Sequence, residues 1–512
     1  MILNEVAASE QIGFPILSIL ILLPVVWAIL LNLIENDDLA RKTALVGAFL
    51  ELCLSLVMVA NFTPGVADIQ FAERVEWMAA IGVGYHVGVD GISVMFVPLT
   101  ALLTLMVMLS SYNSVRFRAR AYLTTLFALQ AATIGIFVSL DLFLFFVFWE
   151  LILIPSYVML RLWGIGPQRE YAALKYVMYM LAGSAPLLMG IVLLGINHFD
   201  ATGIFSFDLI SLLTVSIAPE MQTLVFFLLA FGFAVKGPLF PFHTWLPTAL
   251  MEGPMGMSVL LVGLKLGIYG FLRFAIPLTP EAAKEWAWLM LALGVTAILY
   301  GALIALVQLN LRRLVAFGSV GHVGLAIVGL FALNVQGLQG TLMLTLNLGI
   351  ATTGLLFLTG FLHSRTGSSD LSALGGLARH VPLLTTSFFI LGLAFIGVPG
   401  TSGFPGEFLI LLGAFNAHWV VAAIAVLGVI LNATFFLSFY ERAFLGPVTN
   451  ENVRSLRDLL PREAVVAGAL GALVLWIGFF PNPLLTLSRG SVEAVVERVE
   501  QGPAPKVVHH AD

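Results

Sequence analysis

The sequence predicts an all-α polytopic membrane protein of about 14 transmembrane helices, built as two inverted five-helix repeats that each contain a broken helix. Three observations predict it. The 512 residues are 60% hydrophobic and only 10% charged, whereas soluble proteins carry about 25% charged residues. Apolar runs of about 20 residues, the length that crosses a hydrocarbon core, recur along the whole chain. Two of the runs are interrupted by glycine and proline, at KGPLFPFHTWLP and GVPGTSGFPGEF.

In order, the runs cover 14–34, 43–62, 90–111, 121–138, 141–163, 171–195, 222–241, 255–276, 285–308, 312–333, 338–362, 384–414, 419–441 and 463–482. The polar first ten residues lack a basic region and Pro15 to Ile34 is long enough to span by itself, so no cleavable signal peptide is expected. Loops after odd-numbered spans hold Arg41, Lys42, Arg116, Arg118, Arg120, Arg169, Arg312, Arg313, Arg365, Arg379, Arg442, Arg454 and Arg457, with Arg161 and Arg462 at their edges. The opposite side holds Arg74, Lys284, Arg489, Arg498 and Lys506, with Arg273 near a span end. By the positive-inside rule both termini lie on the outer, positive side of a prokaryotic inner or thylakoid membrane.

The two interrupted runs are the seventh and the twelfth, five spans apart. Five being odd, the copies have opposite orientation, and interrupted helices at equivalent places in two halves point to an ion site between inverted repeats. The expected division is a three-helix addition at 1–112, a first repeat at 113–276, a second at 285–445, and a last helix with a polar tail at 446–512.

Ionisable residues inside the spans carry the chemistry, because each is expensive there and usually functional. Lys175, Lys236 and Lys265 are the buried cations; Glu150 and Glu407 are the central acids, with Glu51 near a span start. Lys236 and Glu150 are the sharpest combination. An opposite charge holds a desolvated lysine protonated and its movement releases the proton, which makes a loadable site; a static ion pair fixing helix packing is the bland reading, and the adjacent helix break favours function. Lys265, in GLKLGIYG, sits too deep to snorkel to the surface easily. Lys175, near the start of its span, can snorkel. Glu407 follows a Pro and Gly break, as an exit-side proton carrier or as a cap on the second half-helix. His243, His322 and His418 can each titrate near neutral pH, and His322 lies deepest, in GSVGHVGL.

Other chemistries are excluded or unsupported. The single cysteine, Cys53, rules out a disulfide framework and a cysteine-ligated metal or iron–sulfur cluster. There is no P-loop, no dinucleotide-binding glycine pattern in a strand context and no specific haem histidine pair, nor any feature calling for nucleic acid. A catalytic site and a resident cofactor or metal are therefore not expected in this chain. For Arg312 and Arg313, in VQLNLRRLVAF, a membrane-edge anchor is an adequate explanation.

The motifs YHVGVDGIS, FFVFWELILIP, FAVKGPLFPFHTWLP, LKLGIYGFLRF, LRRLVAFGSVGHVG and GVPGTSGFPGEFLIL, in this order over about residues 85 to 445, resemble the antiporter-like subunits of respiratory complex I, and most closely subunit M, or chain 4. The absence of a long lateral helix after the fourteenth span favours M over subunit L. The resemblance implies a translocase subunit that carries protons while partner subunits bearing NAD(P)H or ferredoxin, FMN, iron–sulfur clusters and quinone pass electrons. It implies membrane-arm partners of the L, N and small K types. It maps Lys236 as the pumping lysine, Glu150 as its partner, Lys265 as the central relay and Glu407 as the terminal group near the exit; His322 matches a family histidine.

The departures lie beside these residues. Thr248, Ala249 and Leu250 stand where the family reads Asp-Ala-His, and Leu348 stands where a histidine precedes the glycine of span eleven, with Asn347 beside it as a polar substitute. An Mrp-type cation/proton antiporter subunit and a paralogue serving inorganic-carbon uptake share the same motifs and remain alternatives.

Overall fold

The computed structural model describes residues 4–448 and 450–501; Lys506 and the end of the tail lie outside the described residues. Twelve of the described helices are long and apolar enough to cross a membrane. In chain order the main elements are β1 (Glu5–Ala7), α1 (Ile16–Leu33), α2 (Asp37–Ala60), β2 (Ile69–Met78), β3 (Val83–Val89), α3 (Phe96–Ser111) and α4 (Ala119–Val138). There follow α5 (Leu142–Trp163), α6 (Arg169–Thr202), α7 (Pro219–Lys236), α8 (Trp245–Glu252), α9 (Met255–Gly263) and α10 (Leu266–Gly270). The second half contains α11 (Ala287–Leu306), α12 (Leu311–Phe331), α13 (Val335–Asn347), α14 (Thr353–Thr366), α15 (Pro382–Phe395), α16 (Gly403–Ala417) and α17 (Trp419–Tyr440), and the chain closes with α18 (Pro461–Phe479) and α19 (Asn482–Gln501). The short apolar helix α3 occupies the third predicted span, and α15 with α16 the twelfth.

Helix ends fall where polar side chains can satisfy free backbone N–H groups. Asn36 caps α2, Asp141 caps α5, Asn310 caps α12 and Asn334 caps α13, each side chain accepting from the first turn. Burial then sorts the helices into layers. The span 335–366 and α12 are almost wholly covered by protein, whereas only about a third of α2 and of α18 is buried. Leu22, Val26, Ile29 and Phe49 on the outer helices are exposed apolar residues, as required of a lipid-facing surface.

Four interruptions of the backbone lie beside the ionisable residues, two more than the sequence announces; further π-helical turns lie at Phe271–Ala275 and Glu441–Leu445. The first, between α7 and α8, runs from Gly237 to Thr244 and includes a cis Phe240–Pro241 bond. The second separates α9 from α10 at Leu264 and Lys265, where Lys265 takes φ 19° and ψ 51°. The third is a π-helical turn, Leu348–Thr352, between α13 and α14. The fourth, between α15 and α16, turns on Gly397 and Gly400 at φ 68° and 88°, a left-handed region that glycine enters without a Cβ penalty.

Two further elements are not apparent from hydropathy. Residues ahead of the third span form an antiparallel β2–β3 hairpin, with β1 added in parallel. His86 pins that hairpin: its Nδ1 is 2.8 Å from Asp208 Oδ1, and Arg74 Nη2 is 3.7 Å from Asp208 Oδ2. Burial pushes the Asp208 carboxyl up, but the His86 hydrogen bond and the charges of His86 and Arg74 outweigh it and hold the group below the usual carboxylate range. Asp141 accepts from the Gly84 N–H at 3.2 Å, so the hairpin also holds the cap of α5. The expected polar tail contains α19, which buries Val492, Val495, Val496 and Val499 on one face; its Ser491 Oγ accepts from the Gly91 N–H at 3.0 Å.

Candidate functional site

Lys236 is the last residue of α7, so its ammonium sits at the negative end of a helix dipole. Its Nζ donates to the Trp149 carbonyl at 2.7 Å and lies 3.8 Å from the centroid of the Trp149 ring. The expected direct pair with Glu150 is not formed. Glu150, the next residue along α5, instead accepts a hydrogen bond from Ser184 of α6, and its charge acts on Lys236 through space. The helical register explains the difference: the carbonyl one residue earlier reaches the ammonium, while the carboxylate turns toward α6.

A small cavity of about 20 Å³ separates Lys236 from the break in the next span; Thr133, Tyr176, Trp245 and Leu266 line it with Lys236. That volume holds about one water. Lys265, the chain neighbour of the lining residue Leu266, is buried at 2% exposure and donates to Ser319 Oγ of α12 at 2.6 Å. Sequence alone offers no partner for Lys265, and the partner proves to be a neutral hydroxyl. The two breaks also touch through their backbones, since a Cβ added to Gly267 would lie 2.5 Å from Gly237 Cα.

Ser319 and His322 are three residues apart on α12 and therefore share a face. His322 is fully buried, and its Nδ1 lies 2.9 Å from the Gly318 carbonyl. Its Nε2 lies 3.5 Å from Glu407 Oε1 on α16, and neither of those two atoms has a hydrogen-bond partner. Asn347 completes this end. Its Nδ2 donates to the Ala394 carbonyl at the close of α15 at 3.1 Å, and its Oδ1 accepts from Ser402 Oγ, just before α16, at 2.6 Å. Leu348 is buried and apolar beside it.

Not every candidate joins this series. Lys175 Nζ donates to the Thr244 carbonyl at 2.8 Å and to Thr248 Oγ1 at 3.1 Å, which ties it to the first break. His243 is buried among the rings of Phe240, Tyr300 and Phe317, and its Nδ1 has no partner. His418 only caps α17 by its backbone position. Glu51 is wholly buried in α2, its two carboxyl oxygens without hydrogen-bond partners.

Sequence reading passes over one buried ion pair. Arg273, beyond Tyr269 in the span that follows α9, donates from Nη1 to Asp90 Oδ2 at 2.6 Å, with both side chains almost fully covered. Both residues lie inside the matched motifs YHVGVDGIS and LKLGIYGFLRF, and that shared membership was the available signal. The remaining additions, Ser184, Ser319 and the Trp149 carbonyl, carry no signature in sequence.

Lys265, His322 and Glu407 are buried and Glu150 and Lys236 half-buried, and Ser319 and His322 on α12 stand between Lys265 and Glu407. Neutral oxygens hold both lysines. An ammonium in such a setting responds strongly to any nearby charge that moves, because little water screens it.

Residues 139–432 match the family described as NADH:quinone oxidoreductase/Mrp antiporter, transmembrane. NADH-quinone oxidoreductase subunit M of Rickettsia prowazekii is 37% identical over 492 residues, covering 94% of this chain and 99% of that one. A chain of respiratory complex I from Thermus thermophilus, solved with bound NADH, is similar at 34% identity with a TM-score of 0.86, covering 94% of this chain and 99% of its own length. A chain of the Mrp complex from Dietzia sp. shares the fold at 22% identity and a TM-score of 0.81, covering 95% of this chain and 100% of its own.

Proposed function

The chain belongs to the NADH:quinone oxidoreductase/Mrp antiporter transmembrane family, and from that premise we propose that it is a subunit M type, proton-translocating membrane subunit of a complex I type oxidoreductase. Electrons pass in partner subunits, from NAD(P)H or ferredoxin by way of FMN and iron–sulfur clusters to quinone. This chain moves protons. Its neighbours in the membrane arm are the L, N and small K types, and both termini face the positive side.

A charge change at Glu150 or in the adjoining subunit alters the proton affinity of Lys236, whose ammonium rests on the Trp149 carbonyl rather than in a salt bridge. The proton passes through the small cavity to Lys265, then along Ser319 to His322 and Glu407. The observation that carries this reading is that Lys236 and Lys265 each rest on a neutral oxygen, and that α12 carries both the Ser319 that holds Lys265 and the His322 that faces Glu407. Lys236→Ala, assembled in vesicles, is expected to abolish quinone-coupled proton uptake while the chain still inserts. Unchanged pumping would overturn the mechanism.

A second reading, an Mrp-type cation/proton antiporter subunit, is favoured by the family description and by the shared fold. Growth rescue of a sodium-sensitive strain by the subunit's operon would select it.

A further inference from the structure

Arg312 does not behave as a surface anchor. It stands in the first turn of α12 at 8% exposure. Asn310 accepts its backbone N–H, but among the described residues its guanidinium has no hydrogen-bond or ion-pair partner. A buried cation without a counter-charge is strongly disfavoured, and the positive end of the α12 dipole adds to the cost. Arg313, one residue on, is exposed.

The guanidinium opens into a cavity of about 600 Å³ between the two halves, at the arginine-rich face. Arg116, Arg169 and His363 line the same cavity, and no aspartate or glutamate does. A second helix start, Pro254 and Met255 at the head of α9, also faces it, so two dipoles and three arginines converge without an acid. At the mouth Phe117 and Ile165 are exposed apolar residues. An adjoining cavity of about 760 Å³ shares Ser114, Met255, Gly360 and Ser364 with it, and there Arg365 is neutralised by Glu463. Arg312 has no such partner.

We propose that this cavity binds a phosphate group, as the headgroup of an anionic phospholipid or as free inorganic phosphate, with Arg312 as the buried anchor and Arg116 and Arg169 as the rim. Guanidinium forks match phosphate oxygens in pairs, helix N-termini supply further donors, and basic pockets between membrane helices suit lipid headgroups. The site stands apart from Lys236 and Lys265 and does not depend on proton transfer.

The test uses the assembled membrane complex in phosphatidylcholine nanodiscs, with phosphatidylglycerol added in one arm and inorganic phosphate titrated in the other. Retained lipid is read by native mass spectrometry and protection by thermal shift. Wild type is expected to bind in at least one arm, and Arg312→Gln to weaken that binding about tenfold or more, the loss of one charge-assisted fork. Response to the lipid alone identifies a headgroup site; response to phosphate alone identifies the free ion. The Arg116→Gln/Arg169→Gln pair alters only exposed side chains, so it keeps the experiment decisive if Arg312→Gln does not assemble; it is expected to weaken binding and flatten its salt dependence. No binding in either arm, or equal binding by wild type and the variants, would overturn the site. Neither readout requires pumping, so its failure leaves the proton-transfer reading untouched.

Discussion

The two halves solve the same problem with opposite charges. In the first, α7 ends on Lys236, which puts a cation at the negative end of a half-helix; in the second, α16 begins at Gly403 and carries Glu407 one turn in, near a positive end. The halves are also closed differently. In the first break Gly267 lies against Gly237 and the Phe233 carbonyl, and Lys175 ties in the Thr244 carbonyl. In the second Gly403 lies against the Ala394 carbonyl, and Asn347 spans from that carbonyl to Ser402. Both breaks combine backbone contact with hydrogen bonds, given by a lysine in the first and by an amide in the second.

Substitutions that target each device separately can break this contrast. Gly267→Ala drives a methyl into the neighbouring backbone, which cannot yield as a side chain would, and is expected to cost about 3 kcal/mol. The check is a lowered thermal midpoint of the purified complex, with proton uptake lost as Lys236 is displaced; a variant of wild-type stability would show that the contact does not set the first half. Asn347→Ala should cost about 2 kcal/mol through two lost buried hydrogen bonds. Its effect should centre on α15 and α16, read as faster amide exchange there, with the first half unaffected. Ser319→Ala removes the hydroxyl that holds Lys265 and should cost only about 1 kcal/mol. Proton uptake should nevertheless fall well below wild type, because Ser319 is the link between the halves; full uptake would mean that the proton leaves Lys265 by another route.

What sequence reveals of this molecule follows from what hydrophobicity can encode. Bilayer-length apolar runs announce the long helices, and Gly-Pro clusters announce the breaks at Gly237 and Gly397. Lys265 sits in an unbroken apolar run, so the interruption at Leu264 and Lys265 leaves no compositional trace. The β2–β3 hairpin was masked because its strands alternate weakly and run directly into an apolar span. The α19 face is legible in principle, since Val492, Val495, Val496 and Val499 follow the helical period, but four valines in a charged segment do not make a bilayer-length run. Partner choice at the site is harder still. Charge pattern points to Glu150 and Lys236 as a combination, yet a rotation of one residue decides between a carboxylate and a carbonyl contact, and no pattern in the chain encodes that rotation.

The helix caps of the two halves differ as well. In the first half Asp141, the cap of α5, forms an isolated β-bridge with Asp208; in the second, Asn310, the cap of α12, forms one with Asp370. The two bridges stand at the starts of the fifth and tenth apolar runs, but their chemistry differs. Asn310 donates to Asp370 Oδ1 at 2.7 Å and needs no counter-charge, whereas in the first bridge Asp141 accepts from the Gly84 N–H and the Asp208 carboxylate depends on His86 and Arg74. The first bridge is therefore the acid-sensitive one. Asp208 is held below its ordinary value, so its contribution is fully present above the unfolded carboxylate pKa of about 3.9. That contribution is lost as pH falls through the lower folded value. Amide exchange in β2 and β3 should rise below about pH 4 while the Asn310–Asp370 region changes little. Asp208→Asn should loosen the hairpin at neutral pH by about 1 kcal/mol and remove this pH dependence; equal acid sensitivity at both bridges would show that the His86 cluster is not what holds the first half's cap in place.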